Sequence, residues 1–425
     1  MRKESETRLT SRIRVVGREA ELERLSKCLS ARGENHFIYY WARGGLGKTR
    51  LLEALQEMVE EAGPGFCSTG IIDLYHTDTH STSDLERAIV EGLDPGHKYF
   101  ARYRQERERY ELLRERGTDP RALEQRRGEL SRIFVEECRT MSVDARKLVI
   151  CFDTVELLQY ESSRVEEMAG LETVDARIKP WLLKNLAQLA NVLVVFAGRP
   201  KEPMPGEQAD PQARLEADMK HAFGEALTVV ELKPFTLEEA RAFVEALPEG
   251  KEIIPVEYLP VVHRLTGGRP IFLHLIVDLI QVLSPEPRTV LGMFDQYASL
   301  VDAPEDDERL AEARDRIQRE ILHGIIAEET ESGAYLRRIA LMPKGIDPEI
   351  LHQALGLPRD DAEQLLARLE PLSFVKRFKP LPGAERLHGE RIFLHDEMYQ
   401  LLRRPGVVRD LRLNEFTVAH ALELN

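Results

Sequence analysis

The chain has 425 residues, of which 43% are hydrophobic and 31% charged, with a formal net charge of −14. That length exceeds one typical core, so about two to four globular domains are expected, and the acidic balance argues against a chain that coats nucleic acid along its whole length. The longest apolar stretch, 271–283, is broken by His274 and Asp278 and is too short to cross a bilayer.

The first residues, MRKESETRLTSRIRVVG, have no apolar core, so no secretory signal is expected. Val15, Val16, Gly17, Arg18 and Glu19 then lead into an amphipathic helix with Leu22 and Leu25 on one face. The run 37–41, FIYYW, is aromatic and β-branched and reads as a buried strand. It is followed by Ala42, Arg43, Gly44, Gly45, Leu46, Gly47, Lys48 and Thr49. Three glycines there let the backbone curl until its N–H groups point at one anion. In such a loop Lys48 offers a charge to the β- and γ-phosphates, and the Thr49 hydroxyl can ligate Mg²⁺. Arg50 opens a helix whose positive N-terminal end faces the same phosphates. The first loop position, usually Gly, is Ala42, which requires a backbone without positive φ.

A strand over 71–74 precedes the polar stretch YHTDTHS, whose His76 and His80 are too few to build a metal site. From 98 to about 145 the chain is heavily charged and broken at Gly117-Thr118-Asp119-Pro120. Interleaved Arg and Glu with sparse anchors such as Tyr103, Tyr110, Leu123 and Leu130 predict a solvated helical hairpin inserted in the domain. Residues 147–153, KLVICFD, form a second buried strand ending in Asp153, placed to hold magnesium beside the Lys48–Thr49 loop. Glu156 follows as a candidate for polarising an attacking water. Thr154 stands where many hydrolytic proteins carry a second acid, so binding is better supported than fast turnover. A third strand, 191–197, ends at Gly198-Arg199, and an arginine there can sense a γ-phosphate.

Further on, Thr236 and Glu239 form a capping box, and Gly267-Gly268-Arg269-Pro270 makes a tight turn into the apolar helix 271–283. Acidic helical sequence covers 285–330. Short helices over 335–342, 348–355 and 360–369, followed by strands over 374–378 and 391–394, make a winged-helix pattern. Its third helix begins Asp360-Asp361, which would repel nucleic-acid phosphates, while Lys376, Arg377 and Lys379 in the wing favour them. Cys28, Cys67, Cys138 and Cys151 lack metal-site spacing and suit the reducing cytoplasm.

The VGRE entry, the GGLGKT loop, the ICFDTVE strand, the AGR strand end and the GGRP turn together resemble the STAND class of P-loop ATPases. These are relatives of the NB-ARC and NACHT switches and of origin-recognition AAA proteins. The resemblance implies a three-layer α/β P-loop NTPase domain with a mainly parallel sheet over 1–230. A helical subdomain over 231–284, a helical linker over 285–330, a winged-helix domain over 331–405 and a tail over 406–425 would follow. It places Val16, Gly17 and Arg18 near the adenine and Pro270 close to the nucleotide. It likens Phe393-Leu394-His395-Asp396 to the Met-His-Asp signature, with His395 at the diphosphate of the resting state. The implied ligands are ATP or ADP with Mg²⁺, and the implied role is a slow ATPase switch. A protein sensor or effector acting in trans and nucleotide-dependent self-association would serve as partners, with nucleic acid and membranes disfavoured. Two rivals stand beside it, an origin-recognition-like ATPase that binds DNA through its winged helix and a non-catalytic nucleotide-binding scaffold.

Overall fold

The computed structural model describes residues 15–74, 79–159, 177–200, 210–247, 250–283, 287–325, 336, 346–369, 372, 374–378, 391–394 and 398. The first unit alternates helices and strands. Helix α1 (Glu19–Ser30) precedes β1 (His36–Trp41), and α2 (Lys48–Ala62) precedes β2 (Phe66–Asp73). Three helices follow, α3 (Thr82–Leu93), α4 (Ala101–Glu115) and α5 (Pro120–Asp144), before β3 (Lys147–Asp153). Helix α6 (Ile178–Leu186), β4 (Val192–Gly198), α7 (Pro211–Phe223) and β5 (Leu227–Glu231) complete it.

The five strands form one sheet in the order β2-β3-β4-β1-β5, every pairing parallel. Parallel strands buried on both faces read as continuous apolar runs, which is why β1, β3 and β4 were legible as strands. Alternate residues of each strand serve opposite layers. Phe37, Tyr39, Ile150, Phe152, Val194 and Phe196 pack with α3, α5, α6 and α7. Ile38, Tyr40, Val149, Cys151, Leu193 and Val195 pack instead with α1 and α2. The three-layer α/β P-loop NTPase fold expected from the sequence is the fold observed.

The charged hairpin is present as α4 and α5, but its two arms differ. Of α4 only Tyr103 is buried, whereas α5 buries Leu130, Ile133, Phe134, Val135, Cys138 and Met141 in the domain core. The second arm is therefore structural, which the interleaved charges on its other face concealed.

The second unit opens with α8 (Leu237–Ala246), which carries the expected capping box between Thr236 and Glu239. The short α9 (Gly250–Ile253), α10 (Leu259–Thr266) and α11 (Pro270–Leu283) follow. Then come α12 (Pro287–Asp295), α13 (Glu308–Ile325), α14 (Pro348–Leu355) and α15 (Arg359–Leu369). An antiparallel pair closes it, β6 (Val375–Phe378) and β7 (Arg391–Leu394). One hydrophobic core runs from Phe235 through Phe272, Ile276, Ile317 and Ile321 to Leu365, Phe374, Leu394 and Met398. The helix expected over 335–342 falls outside the described residues except at Leu336. Among the described residues no helix is long and apolar enough to cross a membrane.

Candidate nucleotide site

The parallel sheet aims the ends of β1, β3 and β4 at one place, the region where α/β folds of this kind take their ligands. The loop after β1 curls through Gly45 at φ 73° and Gly47 at φ 87°, left-handed values that glycine adopts without strain. Ala42 is buried and is not among the positive-φ residues, so its side chain is tolerated there. Its N–H donates to the Gly198 carbonyl at 3.2 Å, fixing the loop's start to the end of β4.

Lys48 is almost wholly buried, and its Nζ donates to the carbonyls of Ala42 at 2.8 Å and Arg43 at 3.1 Å. Burial, with the Arg199 charge adding to it, brings its pKa down to about 8. The Thr49 hydroxyl donates to Asp153 Oδ2 at 2.6 Å, so the loop and the Asp153 strand meet where the sequence placed a magnesium site. Burial, and then the neighbouring Asp73 carboxylate, push the Asp153 carboxyl upward. Two oxygen donors side by side at the head of the loop suit a hard cation such as Mg²⁺.

Glu156 lies in a 3₁₀ turn, Val155–Gln159, directly after β3, and is buried. Its Oε2 accepts the Arg199 backbone N–H at 3.1 Å, and its Oε1 is 3.5 Å from Arg199 Nε. The Gln159 amide donates to the Arg199 carbonyl at 3.1 Å, so the ends of β3 and β4 are cross-braced. Thr154, between Asp153 and Glu156, adopts φ 58° with its N–H on Asp153 Oδ1 at 2.9 Å. That unusual backbone turns Glu156 towards Arg199.

The second unit sits on the loop. Ile271 N–H, at the start of α11, donates to the Gly45 carbonyl at 3.3 Å. Arg269 donates to the Gly44 carbonyl through Nε at 3.2 Å and Nη2 at 2.7 Å. Pro270 lies between them, in the turn expected to approach the nucleotide. Arg18, also buried, donates to Leu46 O at 2.9 Å and Lys233 O at 2.8 Å, and its guanidinium lies 5.1 Å from the Phe235 ring centroid. It thus clamps the phosphate loop to the chain leaving β5, a role more specific than the one the resemblance gave it. Gly17 adjoins Phe235, and Val16 packs against the core of the second unit.

Two expected site residues belong to the loop by their backbone but turn their side chains away from this cluster. Arg43 is exposed, and Arg50 places its guanidinium on Glu53 and Glu57 along the surface of α2. His395 lies outside the described residues. Sequence reading overlooked Asp73, although β2 ends on a carboxylate as β3 does, and it gave Arg269 no contact. Of the paired histidines, His76 is outside the described residues, and His80 Nε2 lies 3.1 Å from the Leu74 carbonyl in a structural contact.

Residues 14–195 match the AAA ATPase domain family. The chain contains a P-loop AAA ATPase domain. No curated protein sequence matches the chain. The chain is similar to the solved structure of the ORC2 protein of Aeropyrum pernix in ADPNP–ADP complexes. The identity is 14%, the coverage 96% of this chain and 95% of that one, and the TM-score 0.37. For Cdc6p of Pyrobaculum aerophilum the identity is 15%, the coverages 94% and 96%, and the TM-score 0.37. Domain III of the Thermotoga maritima replication initiation protein DnaA is also similar, at 15% identity, 65% and 92% coverage and TM-score 0.34. In the AAA domain, the matched segment holds the phosphate loop, Asp153 and Glu156, while Arg199 lies just beyond it.

Proposed function

We propose that this protein is an ATP-binding switch of the STAND type that binds ATP or ADP with Mg²⁺ and hydrolyses ATP slowly. The observation that carries this reading is the 2.6 Å contact of Thr49 with Asp153 beside a buried Lys48, directly under the Arg269–Ile271 turn of the second unit. A nucleotide held there touches both units, so its identity can govern how they close.

Lys48 and the loop N–H groups bind the phosphates, with Thr49 and Asp153 holding the metal. Mg²⁺ held by Thr49 and Asp153 would supply charge neutralisation for the phosphates. Glu156 orients and deprotonates the attacking water, and Arg199 faces the charge that develops on the terminal phosphate. Because Glu156 is engaged by both the backbone and the guanidinium of Arg199, its carboxylate is a restrained base. Thr154 supplies no second acid. Turnover well below the ~10 s⁻¹ typical of enzymes is expected. Phosphate release by wild type and by Glu156→Gln, beside labelled-nucleotide binding by Lys48→Ala, tests this. The expected results are slow turnover, slower turnover at retained affinity, and no binding. Unchanged affinity in Lys48→Ala would refute the loop assignment.

The switch would pass its state to a protein sensor or effector in trans, or to further copies of itself, in the reducing cytoplasm that its free cysteines suit. A DNA-binding ATPase is the second reading, favoured by the wing residue Lys376 and opposed by the exposed Asp360 and Asp361 at the start of α15. A nanomolar, sequence-selective complex with duplex DNA at physiological salt would establish it instead.

A further inference from the structure

Both peptide units that flank Arg199 are held in place. In the first, the Gly198 carbonyl accepts from Ala42 N–H at 3.2 Å while the Arg199 N–H donates to Glu156 Oε2 at 3.1 Å. One planar amide therefore joins the start of the phosphate loop to the carboxylate of Glu156. In the second, Pro200 has no N–H, so the Arg199 carbonyl is the polar group by which that peptide can be gripped. Gln159 grips it, donating from Nε2 at 3.1 Å. Turning the amide over would set two carbonyl oxygens against each other, so the contact fixes which atom faces Arg199.

Glu156 and Gln159 reach both units because they stand three residues apart in a 3₁₀ turn, where side chains at i and i+3 eclipse. That turn is a firm base. Val155 and Leu158 are buried in the core of the sheet domain, and Glu156 and Gln159 are buried with them. Gly198 lets the turn come this close, since a Cβ there would fall 2.7 Å from Val155 Cγ2 and 3.3 Å from Glu156 N.

We propose that Gln159 is a positioning residue for ATP hydrolysis, holding the backbone from which Arg199 reaches the terminal phosphate. With both flanking peptides pinned, φ and ψ of residue 199 are fixed, and so is the direction in which its side chain leaves the chain. The guanidinium, whose Nε lies 3.5 Å from Glu156 Oε1, can then meet charge developing on the phosphate without movement of the main chain. In this role Gln159 acts through Arg199 and needs no contact with the nucleotide. The proposal rests on the loop being a nucleotide site with Glu156 as its base.

Steady-state phosphate release and calorimetric ADP titration test it in wild type, Gln159→Met, Gln159→Leu, Arg199→Ala and the double variant Gln159→Met with Arg199→Ala. Both single changes at position 159 keep bulk and remove the donor, and melting curves verify folding. Each should lower kcat about fivefold, as for the loss of one hydrogen bond, with KM for ATP and affinity for ADP within about twofold of wild type. Arg199→Ala leaves the carbonyl that Gln159 holds, so adding Gln159→Met to it should lower kcat no further. A merely structural bond would slow the double variant by the same factor as the single one, and that result would overturn the proposal. Wild-type kcat in both position-159 variants would also overturn it, as would a parallel loss of ADP affinity. Wild type that binds ADP but releases no phosphate from ATP removes the proposal and leaves the nucleotide site standing. Wild type that binds no nucleotide removes both.

Discussion

Gly45 shows how much of this site rests on single atoms. Its φ of 73° is one that L side chains rarely adopt, and a Cβ added there would lie 2.1 Å from Ile271 Cγ2. Gly45→Ala therefore brings two penalties, a left-handed backbone worth about 1–2 kcal/mol and a steric clash with the first turn of α11. We expect about 2–4 kcal/mol of destabilisation in total, together with loss of nucleotide affinity. Adding Ile271→Ala should remove the 2.1 Å clash and leave a 2.9 Å approach to the Cβ of residue 271 and the backbone penalty, so the double variant should be more stable than the two separate effects summed. Urea unfolding of the four proteins measures this, and simple additivity would show that the loop and α11 are not in contact in solution. Thr154 is a second such position. Its φ of 58° is strained for a β-branched residue, and it separates Asp153, which accepts from Thr49, from Glu156, which is held by Arg199. Thr154→Gly should relieve that strain at little cost to nucleotide affinity, and melting curves with and without ADP would show it.

Among the elements, α3, α4, α5 and α6 meet at a buried carboxylate, Glu86. It accepts hydrogen bonds from Trp181 Nε1 at 2.8 Å, from Tyr103 Oη at 3.3 Å, and from the Ser131 hydroxyl. Burial outweighs those donors and raises its pKa from the ordinary 4.5 to about 7. The folded state thus holds the proton more tightly than the unfolded one. Glu86 lowers stability as pH rises from about 4.5 to 7, by about 3 kcal/mol once ionisation is complete, and contributes no penalty below that window. Glu86→Gln keeps an acceptor for Trp181 and Ser131 and offers Tyr103 a donor. Its stability should match wild type at pH 4 and exceed it at pH 8, and denaturant midpoints at both values check this. A difference between the two proteins that does not change with pH would remove Glu86 as the titrating group. The elements also show where sequence reading failed. β3 and β4 were legible because both faces are buried and their residues are uniformly apolar. Only the last residues of β2 were recognised, since Ser68-Thr69-Gly70 interrupts the apolar run where the pairing register with β3 shifts. The same bulge accommodates α3, with a Cβ on Gly92 falling 2.6 Å from the Thr69 carbonyl. Asp73 lay in the recognised end of β2 but was given no role, and the contact of Arg269 with Gly44 spans 225 residues, beyond any local pattern.

At the scale of the whole molecule, the packing decides how the chain can open. The sheet domain has cores of its own on both faces, while everything described from Phe235 to Met398 shares another. Separating the β6–β7 hairpin from α11 would split that shared core and expose its apolar surface to water. Lifting the second unit as one piece breaks polar contacts instead, namely Arg269 with Gly44 and Ile271 with Gly45, while Arg18 still holds Lys233 at the hinge. The second route is physically easier, so the unit should rotate about the segment just after β5. Arg269→Ala removes the two guanidinium bonds to the loop without touching Lys48, Thr49 or Asp153. Losing a charged contact of this kind costs about 1.5–3 kcal/mol, which shifts a closed-to-open ratio by about one to two decades. With ADP bound, the variant should show faster amide exchange across 42–48 and at the start of α11, and a larger radius of gyration by solution scattering. Exchange within α11, α13 and β6 should stay at wild-type protection, because the shared core moves intact. If exchange instead rises in β6 and β7 while the start of α11 stays protected, the hairpin opens alone and the second unit is not the moving body.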